Sequence, residues 1–250
     1  MLKLDGLTKT YAGQRGVNSI SFEIAPGEVV GFVGPNGAGK TTTLRMIAGT
    51  LEPDQGTVQL MGHDVWSNRQ TAQAVMGYLP EHAPLYDDMT PRSYLDFLLS
   101  ARGVARKQRP DLLTQAAKRT EIEDVLDRRI EGLSKGYRRR VALAGALAHD
   151  PPVLILDEPS DGLDPNQKRV TQALIRELSP GRIILISTHQ LDEVATLCSR
   201  LILIAEGQVR ADQSPADFAA QDPEGRIEDV FYRLTAGPSP QASNPDEAHT

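Results

Sequence analysis

Residues 31–42 read GFVGPNGAGKTT and follow the apolar Val29 and Val30, so a run that reads as a buried strand ends in a glycine-rich turn. Behind the turn, Thr43, Leu44, Met46 and Ile47 recur at helical spacing. Strand, glycine loop and helix in this order match G-x-x-x-x-G-K-[ST] through Gly34, Gly39, Lys40 and Thr41. Glycines let the main chain close in, successive backbone N–H groups curl around an anion, and the helix N-terminus adds its positive end. The stretch therefore points to a bound phosphate group, with Gly34, Pro35, Asn36, Gly37, Ala38, Gly39, Lys40, Thr41 and Thr42 as candidate binding residues. Lys40 would reach the outer phosphates. The Thr41 hydroxyl would be a ligand of Mg²⁺, a hard cation that takes oxygen donors.

A site of this kind needs a second oxygen donor, and VLILDEP supplies one. Four apolar residues, Val153 to Leu156, lead to Asp157 and Glu158 at the carboxyl end of a predicted strand. Asp157 suits contact with Mg²⁺, whereas Glu158, one residue on, could accept a proton from a water aimed at the terminal phosphate. A further apolar run, Ile183–Ile186, ends in Ser187, Thr188 and His189, which would bring an imidazole to the same sheet edge.

The rest of the chain is organised around these runs. The first third is strand-rich, with Leu2–Leu7, Ser19–Ile24, Val29–Val33 and Thr57–Leu60 expected as short, half-buried strands. From Pro91 to Ala148 apolar residues recur at helical spacing with no strand between them, which predicts a helical subdomain at about 88–150. The two continuous apolar runs that follow, each trailed by a helical pattern, read as buried parallel strands with crossover helices. The fold class is α/β, in one domain over 1–236, and the polar tail from Gly237, GPSPQASNPDEAHT, is expected to be disordered. No apolar run approaches the ~18 residues of a membrane span, and the N-terminus lacks a signal-peptide core, so a cytoplasmic protein is expected. A formal charge of −6 argues against a general nucleic-acid binder. The run Lys135, Arg138, Arg139, Arg140 is expected to be solvated or to face a partner copy. Cys198, the single cysteine, reads as a small buried residue.

With these residues in place, the chain resembles the ATP-binding subunits of ABC transporters from about Leu2 to about Leu234. The most telling element is LSKGY, Leu133 to Tyr137, followed by RRRVALAGALAHDP and then VLILDEP, similar to the family's signature helix just ahead of its Walker B strand. The resemblance implies a P-loop NTPase core with an antiparallel β subdomain and a helical signature subdomain. It implies that Tyr11 stacks on adenine, Val17 lines the adenine pocket, His189 contacts the γ-phosphate, and SDGLDP, Ser160 to Pro165, is the D-loop. YLPEHAPLY, Tyr78 to Tyr86, stands where the Q-loop should be, with Glu81 in the place of the usual glutamine and therefore among the candidate metal ligands. Lys135 and Tyr137 also depart from the usual signature, while Ser134 and Gly136 keep it. Both departures are similar to an exporter-type branch that includes gliding-motility and drug-export ATPases.

The resemblance implies an assembly as well. One chain carries one phosphate loop and one signature, so two copies would sandwich two ATP, each held by the loop of one copy and by Ser134 and Gly136 of the other. A separate membrane permease would bind through the Q-loop and the helical subdomain. The cofactors implied are ATP and Mg²⁺, and the reaction is ATP hydrolysis coupled to transport, with Glu158, His189 and Lys40 as catalytic residues. The rival is a soluble ATPase of the same superfamily acting on DNA or the ribosome. Such relatives carry coiled-coil insertions, two cassettes or zinc motifs, and none is visible here. A P-loop kinase has no use for LSKGY followed by VLILDEPSDGLDP.

Overall fold

The computed structural model describes residues 1–11 and 14–236, so the expectation for 237–250 lies outside the described residues. Strands β1 (Leu2–Tyr11) and β2 (Gln14–Ile24) pair antiparallel and are longer than the alternation predicts. Strand β3 (Val29–Val33) leaves them, passes through the glycine loop and enters helix α1 (Lys40–Ile47). Strands β4 (Gln55–Leu60) and β5 (His63–Asp64) complete a four-stranded sheet ordered β2-β1-β4-β5. Helix α2 (Arg69–Ala74), strand β6 (Met76–Leu79), and helices α3 (Pro91–Ala101), α4 (Arg109–Arg119) and α5 (Lys135–Leu147) follow. Strand β7 (Val153–Asp157), helix α6 (Pro165–Leu178), strand β8 (Ile183–Thr188) and helix α7 (Leu191–Leu197) come next. Strands β9 (Arg200–Ala205) and β10 (Gln208–Gln213) and helices α8 (Pro215–Ala219) and α9 (Ile227–Thr235) end the described chain.

The second sheet runs β10-β9-β3-β8-β7-β6 and is parallel except for β10. Its central strands are buried on both faces, which explains why they are continuous apolar runs. Period-two alternation divides them between two cores. Val153, Ile155, Ile183 and Leu185 face the four-stranded sheet and α1, whereas Leu154, Leu156, Ile184 and Ile186 face α5 and α6. Phe32, fully buried on β3, meets Phe22 of β2 with ring centroids 5.8 Å apart and so ties the two sheets together. Strand β3 is thus fully buried, not half-buried as expected.

Between Pro91 and Ala148 the structure holds only helices and short 3₁₀ turns, as the spacing predicts. Helix α5 nevertheless belongs to two layers: Val141, Ala144 and Ala148 pack into the helical cluster, while Ala142, Leu143, Ala146 and Leu147 pack on the sheet. Strands β6, β9 and β10 escape the sequence reading. MGYL is too short to separate from the helices around it, and RLILIA has no loop motif to mark its place.

The buried contact between the sheets makes a direct test of the packing. Phe32→Ala is expected to cost about 3–5 kcal/mol, read as a fall in Tm of roughly 2–4 °C per kcal/mol for a chain of this size. Tyr86→Ala, at a half-exposed ring that meets the rings of Tyr94 and Phe97 at 6.3 and 5.8 Å, should cost less, about 0.5–1.5 kcal/mol.

Candidate functional site

The glycine loop joins β3 to α1 at the carboxyl edge of the parallel sheet, where open α/β sheets place their ligands. Gly39 caps α1 in the left-handed region at φ 105°, which a side chain would strain. There is no room for one either. A Cβ on Gly39 would lie 2.6 Å from the Gly16 carbonyl oxygen, and one on Gly34 would lie 2.2 Å from that of Ile204. Lys40 is buried under the loop, and its Nζ donates to the carbonyls of Gly34 (2.6 Å) and Pro35 (3.2 Å). Burial pulls its ammonium below the ordinary lysine range, opposed by the carboxylates of Glu158, Asp157 and Glu81.

A cleft of about 440 Å³ opens above the loop, within the size range of small-molecule sites. Tyr11, Asn36, Gly37, Gly39, Lys40, Thr41, Thr42, Glu81, Asp157 and Glu158 line it, so four separate segments that the sequence reading singled out converge there. Tyr11 is 45% exposed at the rim. Val17 does not line the cleft: it is fully buried behind Gly39, and its neighbour Gly16 takes the lining position. Alternation on β2 turns Val17 into the core, which corrects the expectation of an adenine-pocket wall. Ser134 and Gly136 also lie outside this cleft. Ser134 caps α5 by accepting from the Tyr137 N–H, and Gly136 packs against the Gln167 side chain.

Asp157 ends β7 and is 1% exposed. Its Oδ1 accepts from the Ser187 hydroxyl, and its Oδ2 has no hydrogen-bond partner among the described residues. Burial pushes this carboxyl above its ordinary range, the Ser187 hydroxyl pulls it back, Glu81 raises it further, and the nearby Thr41 hydroxyl and the Arg139 charge lower it. Two orphaned features, an unpaired buried oxygen and an unfavourable negative charge, fit a cation that would satisfy both. Thr41, Glu81 and Asp157 offer only oxygen. No three His, Cys, Asp or Glu gather into a cage among the described residues, and a few oxygen donors completed by phosphates and water are what Mg²⁺ accepts. Glu158, next in the chain, adopts φ 51° and donates its N–H to the Ser187 carbonyl at 3.0 Å. Its side chain is nearly buried, and His189 Nδ1 sits 3.0 Å from both carboxylate oxygens. Burial raises the Glu158 carboxyl, and the His189 contact lowers it.

Three buried charged residues depart from the sequence reading, one unmentioned there and two expected at the surface. Glu193 on α7 accepts from Ser160 Oγ, from Thr188 Oγ1 (3.1 Å) and from Gln172 Nε2 (3.4 Å), joining the segment after Glu158 to the one before His189. It sits in the first turn of α7, two residues past the start of the helix, where an acid reads as an ordinary exposed end. Arg139 and Arg140 are 6% and 8% exposed, which overturns the expectation of a solvated or partner-facing cluster. Arg140 lies over the Tyr137 ring at 4.2 Å, and Arg139 reaches the main chain under the cleft. Only Lys135 and Arg138 of that run meet solvent, paired with Asp161 and Asp87. The missed signal was register: Gly136, Arg139, Arg140, Leu143 and Leu147 form one helical stripe, and its lower part is core.

Comparison with known proteins agrees with this geometry. The sequence profile of the ABC transporter family matches residues 17–161. The Nod factor export ATP-binding protein I of Paraburkholderia xenovorans is 37% identical over 242 residues, covering 96% of this chain and 78% of that protein. Among solved structures, the ATP-binding subunit of an ABC transporter superposes with a TM-score of 0.85 at 27% identity, covering 94% of this chain and 99% of the other. A dimeric bacterial ABC transporter cassette gives 0.79 at 25% identity, covering 86% and 98%.

The raised Glu158 carboxyl makes a pH-dependent stability prediction. The folded chain holds this proton above the ordinary value of 4.5, where the unfolded chain releases it, so stability falls as pH rises through that window. Glu158→Gln removes the ionisation. Its nucleotide-free Tm is expected to exceed that of the parent at pH 8, and the gain should shrink towards zero near pH 4. A variant less stable at pH 8 than its parent would contradict this account.

Proposed function

Because the chain belongs to the ABC transporter family as an ATP-binding, ATP-hydrolysing subunit, we propose that it binds Mg-ATP in the cleft above residues 34–42. It works there as a pair of copies and drives export through a separate membrane permease. The observation that carries the proposal is the convergence of the glycine loop and Lys40 with Asp157, whose buried Oδ2 lacks a partner, and with Glu158 beside His189.

Each residue has work that its setting supports. The glycine loop's N–H groups and Lys40 would bind the phosphates, and Tyr11 at the rim would stack on the base. Thr41, Asp157 and Glu81 would hold Mg²⁺, which when bound offsets charge on the phosphates. Burial makes Glu158 a stronger base than a free carboxylate, fit to take the proton from the attacking water as the terminal phosphoryl bond breaks. His189, held against Glu158, would orient that carboxylate and the water. The products are ADP and phosphate. Exclusion of Ser134 and Gly136 from their own cleft supports a second copy supplying them, as does the likeness to a dimeric cassette. No described helix is long and apolar enough to cross a membrane. The membrane path therefore falls to the permease, and the chain to the cytoplasmic face. The name of the export protein from Paraburkholderia supports an outward direction. Residues 1–236 would form the ATP-binding domain, with 88–150 its helical part.

Three measurements test these assignments. Lys40→Ala should weaken binding of a fluorescent ATP analogue at least tenfold; unchanged affinity would remove the loop from the site. Glu158→Gln should lower kcat by about 10²–10⁴, the range of a lost general base, while binding ATP and eluting as a dimer. A tagged Glu158→Gln chain, drawn from detergent-solubilised native membranes with Mg-ATP, should bring down a polytopic membrane protein. Recovery with ribosomes or DNA instead would favour the non-transport relatives.

A further inference from the structure

Arg139 is buried one turn into α5, and its five hydrogen bonds all go to main-chain carbonyls. Nε donates to Pro159 (3.4 Å), Nη1 to Pro80 (3.1 Å) and Glu81 (2.7 Å), and Nη2 to Asp157 (2.5 Å) and Glu158 (2.6 Å). A guanidinium has five N–H donors in a fixed planar fork, so none is left over. The acceptors lie on two segments that meet nowhere else in sequence, 80–81 and 157–159. They include the backbone of every carboxylate that lines the cleft: Glu81, Asp157 and Glu158.

We propose that Arg139 is a positioning residue for ATP hydrolysis, which fixes the three cleft carboxylates relative to one another and to the helix that begins at Ser134. The proposal rests on the functional reading above and extends it to a residue that touches neither nucleotide nor water. Three features support it. Glu158 is held at φ 51°, a strained value for a residue with a side chain, and a carbonyl clamped on each side of its peptide keeps that conformation in place. The charge of Arg139 is satisfied by carbonyl dipoles, so it leaves the carboxylates themselves free for a ligand. Finally, Arg139 and the cap residue Ser134 share one rigid helix, so a shift of that helix on closure of two copies is transmitted to the carboxylates. Lys135 at the start of α5 and Asp161, paired at 3.1 Å, make a second tie at the surface, from that helix to the chain just beyond residues 157–159.

The test compares Arg139→Lys and Arg139→Met with the wild-type chain, each alone and combined with Glu158→Gln. Wild-type ATP binding and hydrolysis are measured first, and absence of both would sink the functional reading itself. With both present, Arg139→Lys, which keeps charge but offers three donors, should lower kcat about 10- to 100-fold, as sub-ångström to ångström misplacement does. KM for ATP should stay within about twofold, and Arg139→Met should lose more. In the Glu158→Gln background the Lys substitution should cost a smaller factor than in the parent, because the share of the loss that comes from aiming residue 158 is already gone while the share from Asp157 and Glu81 remains. Single-turnover rates normalised to folded protein read this out. Wild-type kcat in Arg139→Lys would overturn the proposal. So would losses that only track the folded fraction, failure of every variant to fold, or an equal factor of loss in both backgrounds, each of which makes Arg139 a core residue and nothing more.

Discussion

The absence of space around the turn between β3 and α1 governs the rest of the molecule. Gly34 abuts the carbonyl of Ile204 on β9, and Gly39 abuts that of Gly16 on β2, so the loop is wedged between the two sheets. Hydrogen bonds close the same knot, from the Gly207 N–H to the Ala38 carbonyl and from the Asn18 N–H to the Gly207 carbonyl. The loop is thereby held by its surroundings as well as by its own bond from the Ala38 N–H to the Pro35 carbonyl. The buried Lys40, bound to two of the loop's carbonyls, adds a charge that no single sheet could have presented there.

Around this fixed loop the protein keeps groups in states that folding alone does not favour. Asp157 and Glu158 are carboxyls whose charge is disfavoured by burial, and Glu158 adds a left-handed backbone. Such features persist only where the surroundings over-determine them. Ser187, with its hydroxyl on Asp157 and its carbonyl on the Glu158 N–H, is one restraint. Glu193, joining Ser160 to Thr188, is another, and Arg139 beneath the peptides is a third. Stability is sacrificed at two positions and recovered in the hydrogen bonds behind them.

Helix α5 connects this arrangement to the helical segment. One face packs with α3 and α4, the other with the sheet, and Ser134 caps its exposed start. A single rigid rod therefore spans both layers. This continuity is why a change at Ser134 can be felt at β7.

The sequence by itself determined the strand–loop–helix order around residues 29–47, the parallel strands that end at Asp157 and just before His189, and the helical middle. These are local: period, glycine spacing and the position of an acid after an apolar run depend on neighbours in the chain. Tertiary structure decided the rest. Arg139 and Glu193 look like ordinary surface charges until distant carbonyls or hydroxyls are brought to them, and Val17 sits near the right loop but points into the core. β6 is placed by its parallel pairing with β7, and β9 by pairing with β3 on one side and β10 on the other. Whether a charged side chain is solvated or buried depends on partners dozens of residues away, and one-dimensional pattern carries no record of those.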